Sequence, residues 1–334
     1  MSASAPQETE APLAADAPFY FPLTDRGYEI KPGFARLGVD MGNGSVDGLL
    51  FQIDSGFAHV RQVKERARSE HLGKYWCRHN LSPAVELGIA CFFAEQLVRE
   101  HPCYFRLEAR GEGHVLHCQL TGEMLYFDGA MALIDVEGPG AGPPYDGALD
   151  ALACQVQEDW AITCRSDEGE WVAAVHLCSP NHWSAEEKLG QDFAAVHAPV
   201  AGMEALSARA ESLVAAMIEK GPFVRFAWGL STDRRLNHHP QPPTGMDAAA
   251  WHGRNFNADR PALYMRVERQ VLWPFPQLDA SFFAIRPYFY DCAELDLEQR
   301  NLLAHALEGM SPATLDYKGL AEGQSAMCAW LRGE

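Results

Sequence analysis

The thirty residues from Trp171 to Val200, WVAAVHLCSPNHWSAEEKLGQDFAAVHAPV, constrain this chain more than any other stretch. Trp171, Ala173, Val175 and Leu177 alternate with their neighbours, the two-residue period of a strand. Cys178-Ser179-Pro180-Asn181 closes it with turn formers. Ser184 and Glu187 stand at capping-box spacing, so a short helix is predicted to start at Ser184, with Gly190 placed to stop it. Phe193 to Val196 is mostly apolar and leads to His197, followed by Ala198-Pro199, where the residue before proline favours an extended backbone. An imidazole presented from so fixed a segment can serve as a ligand or a catalytic group. The plainer alternative is a histidine hydrogen-bonded in the core, and spacing alone admits both.

Around this stretch the pattern alternates helices and strands. Val60 to Arg78 is rich in helix formers and basic residues, and Pro83 to Glu100 repeats Val85, Ile89, Phe93 and Leu97 at helical spacing. Leu149 to Thr163, which carries Gln157-Glu158-Asp159-Trp160, also reads as a helix, as do Met203 to Glu219 and Leu297 to Leu307. Leu49 to Ile53 reads as a short strand, and Phe105 to Phe127 as a small meander. Phe223 to Trp228, Ala262 to Leu272 and Phe282 to Tyr290 read as further strands. The loop Gly138 to Pro144 is the best internal boundary, and the polar run Ser231 to Asp259 a long surface loop or lid. Residues 1–18 read as a disordered tail with no signal-peptide pattern, and residues 321–334 as a C-terminal tail.

A net charge of −18 repels phosphate backbones and anionic lipid, so neither nucleic acid nor a membrane surface is an expected partner. No apolar run approaches the ~18 residues needed to span a bilayer. The nine cysteines are scattered without any C-x-x-C, which points to reduced thiols in the cytoplasm and away from an iron–sulfur cluster in this chain. In Ala262–Leu272, Arg266, Glu268 and Gln270 form a polar row on one face, either an ion-pair lattice or a pocket wall. Trp183, Trp228, Trp251 and Trp273 are candidates for an aromatic cage around an ammonium group, or for core. His238-His239 are candidate metal ligands or exposed loop residues. The basic run with Lys64 and Arg66 is a solvated helix face or a site for an anionic group such as cofactor carboxylates.

Several segments, in order, resemble one family. They are FPLTDRGYEIKPGFARLG (Phe21–Gly38), FQID (Phe51–Asp54), KYWC (Lys74–Cys77), QEDW (Gln157–Trp160) and CSPNHW (Cys178–Trp183). EKLG (Glu187–Gly190), VHAPV (Val196–Val200), LYMRVERQVL (Leu263–Leu272) and Tyr317-Lys318-Gly319 follow. Over residues 19–320 the chain resembles the alpha-subunit family of the haem-dependent oxidative N-demethylases, the dimethylamine monooxygenases. The resemblance implies an α+β fold with a PAS-like antiparallel sheet core that binds haem b and is embellished with helices. It implies a monooxygenase that uses dioxygen to demethylate a small secondary amine such as dimethylamine, releasing formaldehyde. Electrons would come from separate FMN and iron–sulfur reductase subunits. His197 would be the iron ligand, and Lys64, Arg66, Lys188, Arg266 and Arg269 candidates for the haem propionates. Glu70 and Glu268 would be the candidate carboxylates for a protonated amine. The alternative from a different class is a non-catalytic haem-binding PAS-like sensor.

Overall fold

The structure is a computed structural model and describes residues 16–140, 142–203 and 207–334. The chain lays down β1 (Ala35–Arg36), α1 (Phe57–Tyr75), β2 (Trp76–Arg78) and α2 (Pro83–Glu100). A four-stranded meander follows: β3 (Phe105–Arg110), β4 (Gly113–Cys118), β5 (Glu123–Phe127) and β6 (Leu133–Glu137). After α3 (Ala148–Ala153) come β7 (Asp159–Ser166) and β8 (Gly169–His176), then α4 (Ala185–Lys188), α5 (Phe193–His197) and α6 (Ala210–Glu219). The remainder is β9 (Phe223–Ser231), α7 (Ala248–His252), β10 (Tyr264–Phe275), β11 (Ala280–Asp291), α8 (Leu297–Glu308), α9 (Pro312–Lys318) and α10 (Gln324–Arg332).

Seven strands form one antiparallel sheet in the order β1-β9-β10-β11-β7-β8-β2, and β3 to β6 form a second. The chain is therefore α+β, as the family resemblance implies. The β10–β11 hairpin is the centre of the large sheet, twelve residues a side and paired from Tyr264↔Asp291 to Phe275↔Ala280. One core cluster joins Phe93 of α2, Phe51, Leu149, Trp160 and Phe282, and so runs across the loop 138–144. A second packs Met265, Val267 and Tyr288 of the hairpin against Leu303 and Leu307 of α8 and Met327 and Leu331 of α10. Among the described residues no helix is long and apolar enough to cross a membrane.

Helix α2 forms where its pattern predicts, with Ser82 Oγ accepting from the Val85 N–H and Pro83 in its first turn. Four expectations need correction. Gln157 to Trp160 does not lie on a helix: α3 stops at Ala153, and Trp160, Ile162 and Cys164 are buried alternately along β7. There the two-residue period of a β-strand outweighs the helical reading. Leu49–Ile53 is not a strand, because the Leu50 and Phe51 N–H groups are taken by the Glu100 carboxylate at 2.6 and 3.0 Å. The predicted helix Met203–Glu219 is broken: Ser207 is helical, its N–H donating to the Met203 carbonyl at 2.8 Å, a turn follows at 208–209, helix resumes over Ala210–Glu219, and residues 204–206 lie outside the described residues. The segment 321–334 carries α10, whose Met327, Cys328 and Leu331 are buried. Of residues 1–18, positions 1–15 lie outside the described residues, while the Pro18 carbonyl accepts from the Tyr290 hydroxyl at 3.1 Å.

Candidate functional site

Sheet register builds the site. Arg225, Ala227 and Gly229 of β9 stand opposite Gln270, Glu268 and Arg266 of β10, which in turn oppose Ile285, Pro287 and Phe289 of β11. Directly opposed residues share a face, so these nine form one continuous surface. The reverse face carries Phe226, Trp228, Val267 and Arg269. Helix α6 packs on β10 and β11, and α5 packs between α6 and β8. The surface is not filled at one end: a Cβ on Gly229 would meet nothing within 4 Å. Beyond Val224, β9 has no partner strand on its outer side among the described residues, because β1 pairs only with Phe223 and Val224.

His197 is the last residue of α5, whose N-cap Asp192 accepts from the Ala195 N–H at 2.7 Å. Ala198 is helical (φ −52°, ψ −37°) rather than extended as its following proline predicts. The turn bonds Ala198 N–H to Ala195 O and Val200 N–H to His197 O offset that preference. The imidazole Nδ1 lies 2.8 Å from the Phe193 carbonyl oxygen. A carbonyl only accepts, so Nδ1 carries the proton and Nε2 keeps its lone pair. Nε2 has no hydrogen-bond partner among the described residues. Burial lowers the His197 pKa against the Phe193 bond, and Arg225 and Lys188 lower it further, so the ring is neutral at neutral pH. Lys188 Nζ donates to the Val196 carbonyl at 2.8 Å, tying α4 to α5.

Cations outnumber acids on this surface. Arg266 donates to the carbonyls of Ser179 (2.6 Å), Leu236 (3.1 Å) and Pro180 (3.4 Å), and its Nε lies 3.4 Å from Glu268. Glu268 also accepts from Gln270 at 3.1 Å. Arg225 and Arg254 have buried Nε atoms without hydrogen-bond partners, and neither guanidinium has an ion-pair partner among the described residues. Arg254 lies over Gly319, where an added Cβ would come within 2.5 Å of its guanidinium. Gly319 also caps α9 with a left-handed backbone (φ +65°), so Tyr317-Lys318-Gly319 needs its glycine twice. Lys318 Nζ donates to the Trp228 carbonyl at 2.8 Å on the open edge of β9. Burial lowers the pKa of Arg225, that of Arg254 to about 10 and that of Lys318 to about 8.

The other expected residues lie elsewhere. Lys64 is fully buried, donating to the carbonyls of Ala153 (2.8 Å) and Glu158 (2.6 Å) and standing 3.9 Å from Asp159. With Arg61–Glu123 (2.8 Å) and Arg68–Asp150 (2.9 Å) it makes the inner side of α1 an ion-pair lattice, which is why that run is basic. Arg66 is exposed, and Glu70 is held by Lys74 and Tyr75. Arg269 donates on the reverse face to the carbonyls of Asp47, Leu49 and Leu50. Of the expected cofactor residues, the structure brings Lys188 and Arg266 to the side of the sheet that His197 faces. It does not bring Lys64, Arg66 or Arg269 there.

The four tryptophans do not converge. Trp273 packs on Phe92, Trp183 lies against the Val175–Leu177 cluster, and Trp228 and Trp251 each face a cation of the chain itself, Lys318 and Arg235. His238 Nε2 bonds Asp233 at 2.9 Å, and His239 Nδ1 contacts Gln241. Two buried triads, Asp150–Cys154–His176 and Asp159–His176–Cys178, hold their donor atoms within 4.8 Å, but Arg68 and Lys64 already set cations on Asp150 and beside Asp159. Surface concavities of about 610 Å³ beside Asp25 and Leu297, and about 300 Å³ beside Arg110 and Ile134, have no lining residue on β9, β10 or α5. Sequence reasoning missed Arg225 and Arg254. The trace Arg225 left is its alternation with Ala227 and Gly229 in FVRFAWG, one face of charged and small residues.

A family model described as haem-dependent oxidative N-demethylase, alpha subunit-like, matches residues 46–328, more than four fifths of the chain. The match contains α5, β9, β10, Arg254 and Lys318.

Proposed function

We propose, from the premise that this chain belongs to the haem-dependent oxidative N-demethylase alpha-subunit-like family, that it is the haem-carrying subunit of an oxygen-dependent demethylase of small N-methylated amines such as dimethylamine. In this reading the seven-stranded sheet would be a PAS-like cradle and His197 would hold the haem iron. The observation that carries it is the His197 ring, whose Nδ1–H is fixed on the Phe193 carbonyl while Nε2 is left as a lone-pair donor. Metal-binding histidines are oriented in this way. The residues present fit a flat, doubly anionic cofactor. Ala227 and Gly229 leave the sheet low, and the unpaired Arg225 guanidinium stands with Lys188 near His197.

Bound there, a b-type haem would supply the iron at which dioxygen oxidises a methyl group that leaves as formaldehyde. The chain's own residues would hold and screen. Ile285, Pro287 and Phe289 set an apolar row beside the polar row. Glu268, with Gln270 beside it, is the carboxylate on this face that can accept a hydrogen bond from a substrate amine. Glu70 stands on α1, away from this face, so the reading gives the amine to Glu268, whose oxygens can each accept a further bond beside Arg266 and Gln270. The scattered cysteines, with no C-x-x-C among them, are in keeping with electron supply by separate flavin and iron–sulfur subunits.

The test is haem titration of the purified chain followed by its Soret band. Wild type is expected to take up haem, and His197→Ala to bind it at least ~10-fold more weakly with an altered ferric spectrum and an unchanged circular dichroism spectrum. Unchanged haem content and spectrum in the variant would remove His197 as ligand. No Soret band in the wild type would end the haem reading. Formaldehyde release from dimethylamine under reducing conditions tests the reaction itself.

A further inference from the structure

Three cations gather at the Gly229 end of the polar face, and the nearby acids are already taken. Arg254 lies against the Gly319 backbone, Lys318 reaches the Trp228 carbonyl, and Arg266 stands opposite Gly229. Glu268 is engaged by Arg266 and Gln270. Asp233 is held by Arg235 and His238 at 2.9 Å each, and Asp159 accepts from the Ser179 N–H and faces Lys64. Arg254 is thus left without an acceptor among the described residues, although its Nε is buried. Its neighbours repel positive charge as well. The pKa of the His182 imidazole is pushed down to about 2, by burial first and then by Arg254. An ammonium group or a metal cation would add to that repulsion, whereas an oxyanion would relieve it. The planar guanidinium fork suits a carboxylate, which it can meet with two parallel bonds. Arg254 and Lys318 are half-buried, so such a group can reach them.

We propose that Arg254, with Lys318 and Arg266, forms a carboxylate-binding site at this end of the sheet face, one that takes either a haem propionate or the carboxylate of an N-methylated amino acid. The site itself stands without the haem-dependent demethylase reading, and both named sources, propionate and substrate, rest on that reading.

The experiment is a calorimetric titration of the haem-free full-length chain with sodium acetate at constant ionic strength. Sodium chloride and dimethylammonium chloride are the controls. Acetate is expected to bind where neither control does, and Arg254→Gln to weaken it by ~10-fold or more. Arg66→Gln, at an exposed position outside the cluster, is expected to leave it unchanged. Arg254→Lys keeps the charge and loses the fork, so it is expected to fall between them, and it serves if the glutamine variant does not fold. Repeating the titration after haem loading separates the sources. Loss of acetate binding with haem, but not with the dimethyl ester of haem, assigns the site to a propionate. Acetate binding that survives haem and is displaced by N-methylglycine assigns it to substrate. Acetate binding no stronger than chloride, acetate binding equal in wild type and Arg254→Gln, or binding of dimethylammonium at this site would overturn the proposal. If haem itself never binds, the acetate arm still reads out, so failure of the haem reading is seen separately.

Discussion

Arg266 and Arg269 stand three residues apart on β10 and point to opposite faces, and each gives its guanidinium to backbone carbonyls of distant loops. Alternation along the strand made the opposition of faces legible in the sequence. It could not show the partners, because Arg269 reaches Asp47, Leu49 and Leu50 across more than two hundred residues and Arg266 reaches Ser179 across 87. Contacts at that separation leave no local pattern. Arg269 is 1% exposed, so Arg269→Leu strands three carbonyls and is expected to cost ~3 kcal/mol in denaturant unfolding, with haem affinity within about twofold of wild type. Arg266→Leu releases the Ser179, Pro180 and Leu236 carbonyls and leaves Glu268 without its cation, so both stability and haem affinity are expected to fall. Parallel losses of haem affinity from both variants, with stability unchanged, would contradict this division.

At the scale of single elements, the strands that carry the site were easier to read than the groups they present. β10 was plain from alternation and β11 from its aromatic run, as α2 was from its 3.6-residue period. β7 was not, because the apolar run through Leu149–Trp160 fits a helix until the buried alternation of Trp160, Ile162 and Cys164 is seen. Strand β9 lends itself to a direct test. Gly229→Leu sets its Cβ where no atom stands within 4 Å and its branch over the open end of the face, so the haem-free protein is expected to keep its thermal midpoint within ~2 °C. Haem titration of the same variant is expected to show at least ~10-fold weaker binding, since the side chain occupies the floor. Wild-type haem affinity in Gly229→Leu would move the cofactor off this face.

The turn into β7 has its own pH signature. Glu158 Oε1 accepts from the Gln52 N–H at 2.8 Å, while its buried Oε2 has no partner. Burial raises its pKa to about 7 against the pull of Arg286. The folded protein therefore holds a proton here that the unfolded chain releases near 4.5. This contribution is full below that value and is lost as pH rises through 7, by ~2–3 kcal/mol in all. The stability of wild type relative to Glu158→Gln is expected to fall by that amount between pH 5 and pH 8 in urea unfolding. A flat difference would show that Glu158 takes up no proton on folding.

For the molecule as a whole, the α+β class followed from the family resemblance, but the strand order β1-β9-β10-β11-β7-β8-β2 did not, since its neighbours are set by packing between remote segments. The site shares that dependence: it draws on α4 and α5, β9, the loop at Arg254, β10 and the end of α9. Lys318 and Gly319, which close its outer edge, leave the ribosome after every other residue of the site. Until the segment after β11 docks, the Trp228 carbonyl on the open edge of β9 lacks its Lys318 donor, and Met265, Val267 and Tyr288 of the hairpin lack the cover of α8 and α10. A nascent polypeptide stalled before α8 would thus carry both an unsealed pocket and an uncovered apolar face. A chain ending at residue 296 is expected to scatter light during refolding at micromolar concentration where the intact chain stays clear. Cofactor capture and protection from self-association would then be completed by the same late step of synthesis.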